Sequence, residues 1–340
     1  MKGRTRKAGF LLGVFLLCQL SACGMFTKPV VHSQEENRET EDAIVVGFSQ
    51  IGSESLWRTA NTNSLQEELS KDNGFFLIYK NARQKQENQI KAIREFISQR
   101  VDYIVFSPVT EKGWDNVLLE AKEAGIPVII IDRKVDVADE SLYMTWIGSN
   151  MVEEGRKAGE WLARTQKEKN REEEPLNIVM LLGTEGATAT IGREEGFLEV
   201  AKKHENWKIL EQVSADFTTA KGKEVMAELL QKHPEIDVLI SQNDDMTFGA
   251  LDAIKESGRT VGENGDIETI ISFDATRPAL SMTGEGKISL SVECNPLQGS
   301  YVRNVILQKE MGFTIHKNYF VDEEIFTKEN ALTNLGERTY

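Results

Sequence analysis

The chain has 340 residues, a net charge of −14 and a hydrophobic content of 40%, which is an ordinary globular composition with enough length for two domains of common size. The acidic balance argues against nucleic acid as a partner, because phosphate contacts need a basic surface. The 4 histidines are scattered without the paired spacing of metal ligands, and the sequence predicts neither a metal site nor a cofactor.

The first residues have the features of a secretory signal. A basic start at residues 2–7 precedes an apolar run at residues 10–20, which is too short to span a bilayer comfortably. The run ends in Leu20-Ser21-Ala22-Cys23, which resembles the cleavage box of bacterial lipoproteins. We therefore predict a signal peptide at residues 1–22, lipidation of Cys23 and an extracytoplasmic protein anchored to the cell membrane by lipid. An ordinary signal peptide with an incidental cysteine is the alternative.

Residues 23–42 are predicted to be a tether, because the segment from Thr27 to Asp42 is polar, charged and without periodicity. Beyond it Cys294 stands alone, so no internal disulfide is expected. The folded part must rely on its hydrophobic core, which a chain of this length can supply.

From Ala43 onward, short apolar runs alternate with longer amphipathic stretches. The predicted strands are residues 44–48, 75–79, 103–106 and 128–131, and then 178–182, 209–213, 238–240 and 270–273. The predicted helices are residues 56–69, 86–99 and 114–124, and then 188–203, 220–232 and 247–257. This alternation predicts parallel sheets with right-handed crossovers. The two series, separated by a charged loop at residues 170–175, predict an α/β protein with two similar lobes.

Polar side chains directly follow several of these strands. They are Ser49 and Gln50, Asp132 and Arg133, Gly183 and Thr184, Asn243 to Asp245, and Asp274. In open parallel sheets, ligands bind just beyond the carboxyl ends of the strands. Two lobes that face each other across those edges would enclose a cleft lined by Asp, Asn, Arg and Trp.

The pair Asp132-Arg133 is suited to vicinal hydroxyl groups. A carboxylate accepts hydrogen bonds from hydroxyls, and a guanidinium donates two parallel ones. An Asp-Arg pair at one strand end can also hold itself in place when the cleft is empty. The alternative is an exposed ion pair, worth at most about 1 kcal/mol.

Other candidates have a functional and a structural interpretation. The indole of Trp57 would stack on a sugar ring if it faces the cleft, and it would otherwise pack in the core. Phe217 has the same two interpretations, and Arg193 would reach the cleft from a helix of the second lobe. Asn243 would bind ligand or cap the following helix. Glu293, at the end of a strand-like run, would bind ligand or lie in a crossing between lobes.

Several stretches together resemble a known family. They are Val46 to Gln50 with Gly52 to Ser55 and Trp57-Arg58, Gln84 to Ala92, Leu142 to Thr145, Lys221 to Met226 and Asn243 to Met246. With them the sequence is similar to the type I periplasmic binding proteins of sugar ABC transporters, the ribose and galactose type, and most of all to galactofuranose-binding proteins.

The resemblance implies two doubly wound parallel-sheet lobes joined by a hinge of three chain crossings, near Gly148–Asn150, Ala275–Arg277 and Glu293–Pro296. The N-terminal lobe would comprise residues 43–148 plus about 276–295, and the C-terminal lobe residues 149–275 plus about 296–340. The resemblance also implies sugar contacts for Trp57, Arg58, Asp132, Arg133, Arg193, Asn243 and Asp274, with Glu54 and Phe217 as additions. Gly192 and Ala275 depart from the family pattern, which often has an acidic residue and a glycine at these positions.

The implied function is capture of a galactofuranose-like monosaccharide, or a related pentose or hexose, and its delivery to an ABC transporter permease by a monomeric, non-enzymatic protein. A transcription repressor with the same core would need a basic helix-turn-helix in place of the signal and acidic tether. A glycosidase would need an acid/base carboxylate pair, and the sequence singles out none. Signalling to a membrane sensor kinase stays open, because transport and signalling both use the closed form.

Overall fold

The structure is a computed structural model that describes residues 43–336 and 338–340. The predicted signal peptide, the predicted lipidation site at Cys23 and the predicted tether lie outside these residues. In the described part of the chain, no helix combines the length and apolarity needed to cross a membrane.

Strands and helices alternate along most of the chain. In chain order, the strands are β1 (Ile44–Gln50), β2 (Phe75–Asn81), β3 (Tyr103–Phe106), β4 (Val128–Ile131), β5 (Thr145–Gly148), β6 (Leu176–Leu182), β7 (Trp207–Ser214), β8 (Val238–Ser241), β9 (Thr269–Asp274), β10 (Leu290–Glu293), β11 (Asn318–Phe320) and β12 (Ile325–Phe326). The α-helices are α1 (Leu56–Glu68), α2 (Gln86–Gln99), α3 (Asp115–Glu123), α4 (Met151–Glu168), α5 (Thr188–Ala201), α6 (Thr219–Lys232), α7 (Asp244–Glu256), α8 (Arg277–Gly284), α9 (Gly299–Glu310) and α10 (Ala331–Asn334). The strands and helices predicted up to residue 273 are all present.

The strands form two six-stranded sheets, one in each lobe. The first has the order β11-β5-β4-β3-β1-β2, and its strand pairs are parallel. The second has the order β12-β10-β9-β8-β6-β7 and is parallel except for the antiparallel edge strand β12. Central strands such as β3 and β4 are buried along their whole length, as expected for parallel sheets covered by helices on both faces. The doubly wound two-lobe prediction is confirmed.

The chain passes between the sheets at three places, at residues 149–150, 294–298 and 321–324. The first two agree with the predicted crossings near Gly148–Asn150 and Glu293–Pro296. The crossing predicted near Ala275–Arg277 is wrong. The chain stays in the second lobe there, because β10 pairs in parallel with β9 from Leu290 opposite Ile271 to Glu293 opposite Asp274.

The lobe assignment of the two late segments is therefore reversed. Residues 276–293 belong to the second lobe, whereas α9 packs against α1 and β11 pairs with β5 in the first. The true third crossing joins two very short edge strands, β11 and β12, whose apolar patterns are too brief to be recognised in the sequence. Residues 325–335 return to the second lobe, as predicted for the C-terminal part.

Close packing of α4 on α5 shapes the second lobe beside the hinge. A Cβ atom on Gly155 would lie 2.2 Å from the carbonyl oxygen of Arg193, and one on Gly196 would lie 1.9 Å from that of Val152. Both distances are impossible for real contacts, so only glycine lets the two backbones approach this closely. The approach brings Glu154 of α4 against the side chain of Arg193.

Candidate ligand site

One cavity between the lobes brings together all nine residues predicted from the sequence. The empty space it encloses is about 330 Å³, part of which is open to solvent. The predicted residues around it are Glu54, Trp57, Arg58, Asp132, Arg133, Arg193, Phe217, Asn243 and Asp274, and Ser55, Met151, Ala189 and Cys294 complete the lining.

Most of these side chains come from the carboxyl ends of strands. Glu54 lies in the loop after β1, Asp132 directly after β4, Asn243 after β8, and Asp274 at the end of β9. Three lining residues have a positive φ, at 59° for Asp132, 58° for Phe217 and 101° for Asp274. Such backbone strain in non-glycine residues concentrates at functional sites. The cavity therefore has both the position and the local geometry of a ligand site.

A network centred on Arg58 organises the first-lobe side of the cavity. Its Nη1 lies 2.7 Å from Oδ2 of Asp132 and its Nε lies 3.0 Å from Oε1 of Glu54. Burial acts to lower the pKa of Arg58, but the charges of Asp132 and Glu54 more than offset it and hold the pKa above its usual value. Asp132 does not pair with its neighbour Arg133 here, because it pairs with Arg58 and with the hydroxyl of Ser107 at 2.9 Å.

Two polar groups on this side remain available to a ligand. Oε2 of Glu54 is buried and has no hydrogen-bond partner among the described residues. Arg133 is buried, and the one side-chain hydrogen bond found for it in the described part of the chain runs from Nη1 to the carbonyl of Val109 at 2.6 Å. Burial and the nearby charge of Arg58 lower the pKa of Arg133 to about 10. A buried guanidinium with so few acceptors is suited to a ligand that supplies oxygen atoms.

A second network, centred on Arg193, organises the opposite side. Its Nε lies 2.6 Å from Oε2 of Glu154, its Nη2 lies 3.3 Å from Oδ1 of Asp274, and Nη1 donates to the carbonyl of Gln242. Burial raises the pKa of Asp274 well above its usual value, although the charge of Arg193 opposes this. Each lobe thus holds an arginine in a fixed orientation between two carboxyl groups.

Asn243 caps the following helix, as one of its two interpretations predicted. Its Oδ1 accepts the hydrogen bond of the Met246 amide at 2.9 Å and so caps α7, while its Nδ2 donates to the carbonyl of Phe217 at 3.2 Å. It lines the cavity at the same time.

The aromatic residues lie where the two lobes meet. Trp57 donates from Nε1 to the carbonyl of Cys294 at 2.6 Å, and the ring of Phe217 lies beneath the guanidinium of Arg133, 5.5 Å from its centroid to Cζ. Gly183 leaves room for Phe217, because a Cβ at that position would lie 1.9 Å from the ring. Leu56 also donates from its amide to Oδ2 of Asp245 at 3.0 Å. These contacts join the two lobes in a closed arrangement around the cavity.

The sequence analysis missed part of the lining and one supporting residue. Met151 and Cys294 belong to the hinge region, and the lone cysteine in a predicted crossing was the available signal. Glu154 was missed because α4, which carries it, was not predicted. Glu293 does not line the cavity; its carboxylate bonds to Arg338 and Tyr340.

Comparison with known proteins gives consistent results. Residues 46–309 match the model of the periplasmic binding protein domain family. The chain is 44% identical to the galactofuranose-binding protein of Escherichia coli over 74% of this chain and 78% of that protein. A Mycobacterium smegmatis structure in complex with β-D-fucofuranose is 43% identical with a TM-score of 0.83, over 88% of this chain and 96% of that one. The periplasmic binding protein component of the arabinose ABC transporter from Shewanella sp. ANA-3, bound to arabinofuranose, is 41% identical with a TM-score of 0.80, over 87% and 95%.

Proposed function

We propose that this chain captures one monosaccharide in its furanose form. The chain belongs to the periplasmic binding protein family, as a sugar-binding protein of the ABC transporter type and not an enzyme. The nine predicted residues are the proposed sugar contacts. Delivery to a membrane permease and anchoring through a lipid on Cys23 are further parts of the proposal.

The observation that carries the proposal is the chemistry of the cavity lining. Three guanidinium groups, from Arg58, Arg133 and Arg193, face three carboxyl groups, from Glu54, Asp132 and Asp274. Arg58 and Arg193 are already paired with carboxyl groups of the protein, which favours a neutral ligand over an anion or a cation. Hydroxyl groups both donate and accept, so a polyhydroxylated molecule can satisfy both kinds of partner. Trp57 and Phe217 add apolar ring surfaces for the C–H faces of a sugar.

The preference for a furanose is supported by the relatives. The Escherichia coli protein is named for galactofuranose, and the Mycobacterium smegmatis and Shewanella structures contain fucofuranose and arabinofuranose. These three share 41–44% identity with this chain.

Delivery to a permease requires the closed form to be the liganded form. Side chains from both lobes line the cavity, so a bound sugar would contact both and favour closure through those differential contacts.

The test is isothermal titration calorimetry against galactose, fucose and arabinose, with NMR of the bound ¹³C1-labelled sugar to identify its ring form. We expect micromolar or tighter binding, equivalent to roughly −8 kcal/mol, and a bound C1 signal at the furanose shift. Binding of an amino acid in place of any monosaccharide would disprove sugar binding, and a pyranose signal would disprove the ring form.

A further inference from the structure

A cluster of ionisable side chains lies where the chain crosses between the lobes. Glu154 of α4, Cys294 of the second crossing and Glu323 of the third lie close together: one carboxylate oxygen of each glutamate and Sγ of the cysteine are within 4.8 Å of one another. This hinge cluster adjoins the cavity, because Cys294 lines it and Glu154 bonds to Arg193.

The carboxyl group of Glu323 contacts all three crossings. Its Oε1 accepts hydrogen bonds from the hydroxyl of Ser149 in the first crossing and from the amide of Asn295 in the second, the latter at 2.9 Å. The residue is partly exposed as a whole, but Ser149 and Cys294 on either side of its carboxyl group are buried. A single side chain therefore ties together the segments that must move when the lobes open.

One carboxylate oxygen of Glu154 lacks a hydrogen-bond donor among the described residues. Its Oε2 is bonded to Arg193, whereas its Oε1 is buried and has no hydrogen-bond partner in the described part of the chain. An unpaired buried carboxylate oxygen is costly, and natural structures usually provide a donor. An oxygen of the Glu323 carboxyl group lies within 4.8 Å of an oxygen of Glu154, and this carboxyl group becomes a donor when it is protonated.

We propose that Glu323 and Glu154 share one proton, and that this acid pair is a positioning device that links the hinge to the sugar-binding Arg193. The proton on Glu323 satisfies Oε1 of Glu154, whose Oε2 then holds the guanidinium of Arg193 in line with Asp274. Both glutamates act on the sugar through Arg193, so this role rests on the proposed function.

The charges around Glu323 favour its protonated form. Burial, followed by the charge of Glu154, raises the pKa of Glu323 to about 9, against the opposing hydrogen bonds from Ser149 and Asn295 and the charge of Arg193. From α4, Lys157 also approaches, but its Nζ bonds to the backbone carbonyl of Glu323 at 3.1 Å. Burial raises the pKa of the Cys294 thiol as well, so this neighbour is neutral. The nearby Glu293 is engaged by Arg338.

A proton explains the cluster better than a metal ion. Two carboxyl groups and a thiol are possible ligands for a divalent cation. The guanidinium of Arg193, however, lies 2.6 Å from Oε2 of Glu154 and places a permanent positive charge beside the cluster. A second, divalent charge there would be repelled, whereas a proton neutralises one carboxylate and fills the hydrogen bond.

The sign of the pH dependence follows from linkage. The pKa of Glu323 rises from an unfolded value of roughly 4.3 to about 9 in the folded protein, so the folded state holds a proton that the unfolded state lacks. The stabilisation that this proton provides is fully present when the pH is below the unfolded-state pKa of Glu323, and it is lost as the pH rises toward about 9. Above that pH the pair is doubly charged, and sugar affinity should fall because Arg193 loses its fixed orientation.

The experiment compares wild type with Glu323→Gln and Glu323→Ala. Glutamine has the shape of the protonated acid, accepts from Ser149 and Asn295 and donates to Glu154, but it does not titrate. Asp322→Asn is the matched control, since Asp322 is an exposed acidic residue in the same crossing. Urea unfolding is measured without sugar, and calorimetry is carried out with galactose, fucose and arabinose, both from about pH 6 to about pH 10.

We expect the unfolding midpoint of wild type to fall between about pH 6 and about pH 9, and that of Glu323→Gln to change much less. Sugar affinity of wild type should weaken by about tenfold at pH 10, the effect of one required proton, while Glu323→Gln stays near its neutral value. Glu323→Ala should bind weakly at every pH. The titration of Arg133 is common to all variants, so the difference between wild type and Glu323→Gln isolates Glu323.

Parallel pH profiles for wild type and Glu323→Gln would overturn the proposal. A gain in wild-type stability on adding Zn²⁺ or Mn²⁺, lost in Glu323→Gln, would replace the proton with a metal ion. The unfolding measurement tests the shared proton even if no monosaccharide binds. Failure of the hinge proposal and failure of the proposed function are therefore distinguishable. If Glu323→Ala does not fold, the comparison of wild type with Glu323→Gln still tests the shared proton.

Discussion

Replacement of Arg133 by alanine is the most direct test of the proposed sugar contacts. Arg133 is 3% exposed and is held by one hydrogen bond to the carbonyl of Val109 and by the face of Phe217. Its remaining N–H groups are available to sugar hydroxyls. Loss of charge-assisted hydrogen bonds should cost about 1.5–3 kcal/mol of binding free energy. The affinity for the sugar should therefore fall by roughly ten- to a hundredfold.

The fold of Arg133→Ala should survive. The variant loses one hydrogen bond and a cation–π contact, but it also loses a buried cation whose pKa burial has lowered to about 10. These effects oppose each other, and we expect the free energy of unfolding to change by no more than about 1 kcal/mol. Arg133→Lys should bind with intermediate affinity, because it keeps the charge without the planar fork.

Calorimetry measures the affinity, and small-angle scattering measures contraction on adding sugar. Arg94→Ala is the matched control, because Arg94 is an exposed arginine of the same lobe that pairs with Glu120. Wild type and Arg94→Ala should contract at the same sugar concentration, and Arg133→Ala only at a much higher one. If Arg133→Ala bound and contracted like wild type, Arg133 would not contact the sugar and the proposed site would lose its central residue.

Three further predictions concern other parts of the chain. Cys23→Ala should release the protein from the membrane fraction or leave it unprocessed, as measured by fractionation and mass spectrometry. Unchanged membrane attachment with normal processing would contradict lipidation. Trp57→Phe keeps an aromatic surface but removes the hydrogen bond to the second crossing. The loss of about 1 kcal/mol should raise the dissociation constant of the sugar by about fivefold. If calorimetry shows no change, this hydrogen bond does not support closure. Gly196→Ala should lower the free energy of unfolding by about 1–3 kcal/mol or more through overpacking of α4 on α5, whereas the exposed neighbour Glu195→Ala should have little effect in urea denaturation.

The candidate site was largely accessible from the sequence because its residues follow a local rule. In a parallel sheet, a polar side chain after a buried apolar run lies at the ligand-binding edge. Asp132 after β4, Asn243 after β8 and Asp274 at the end of β9 could be found in this way. Glu54 needed the family resemblance, since it does not directly end an apolar run, and for Phe217 the residues alone left stacking and core packing both open.

The partners of these residues could not be found in the same way. Asp132 pairs with Arg58, 74 positions away, and not with its neighbour Arg133. Arg193 is held by Glu154, 39 positions away on a helix that the sequence analysis did not recognise. Such pairings depend on how elements pack against one another, which no local pattern contains.

The sequence by itself determined the alternation of strands and helices, the two lobes and the strand-end residues, because hydrophobic periodicity and parallel-sheet geometry act over short stretches of chain. Only the tertiary structure decided the third crossing at residues 321–324, the lobe to which residues 276–293 belong, and the cluster of Glu154, Cys294 and Glu323. These features join segments that are far apart in the chain, and their energies come from burial and from contacts that exist only once both sheets are assembled.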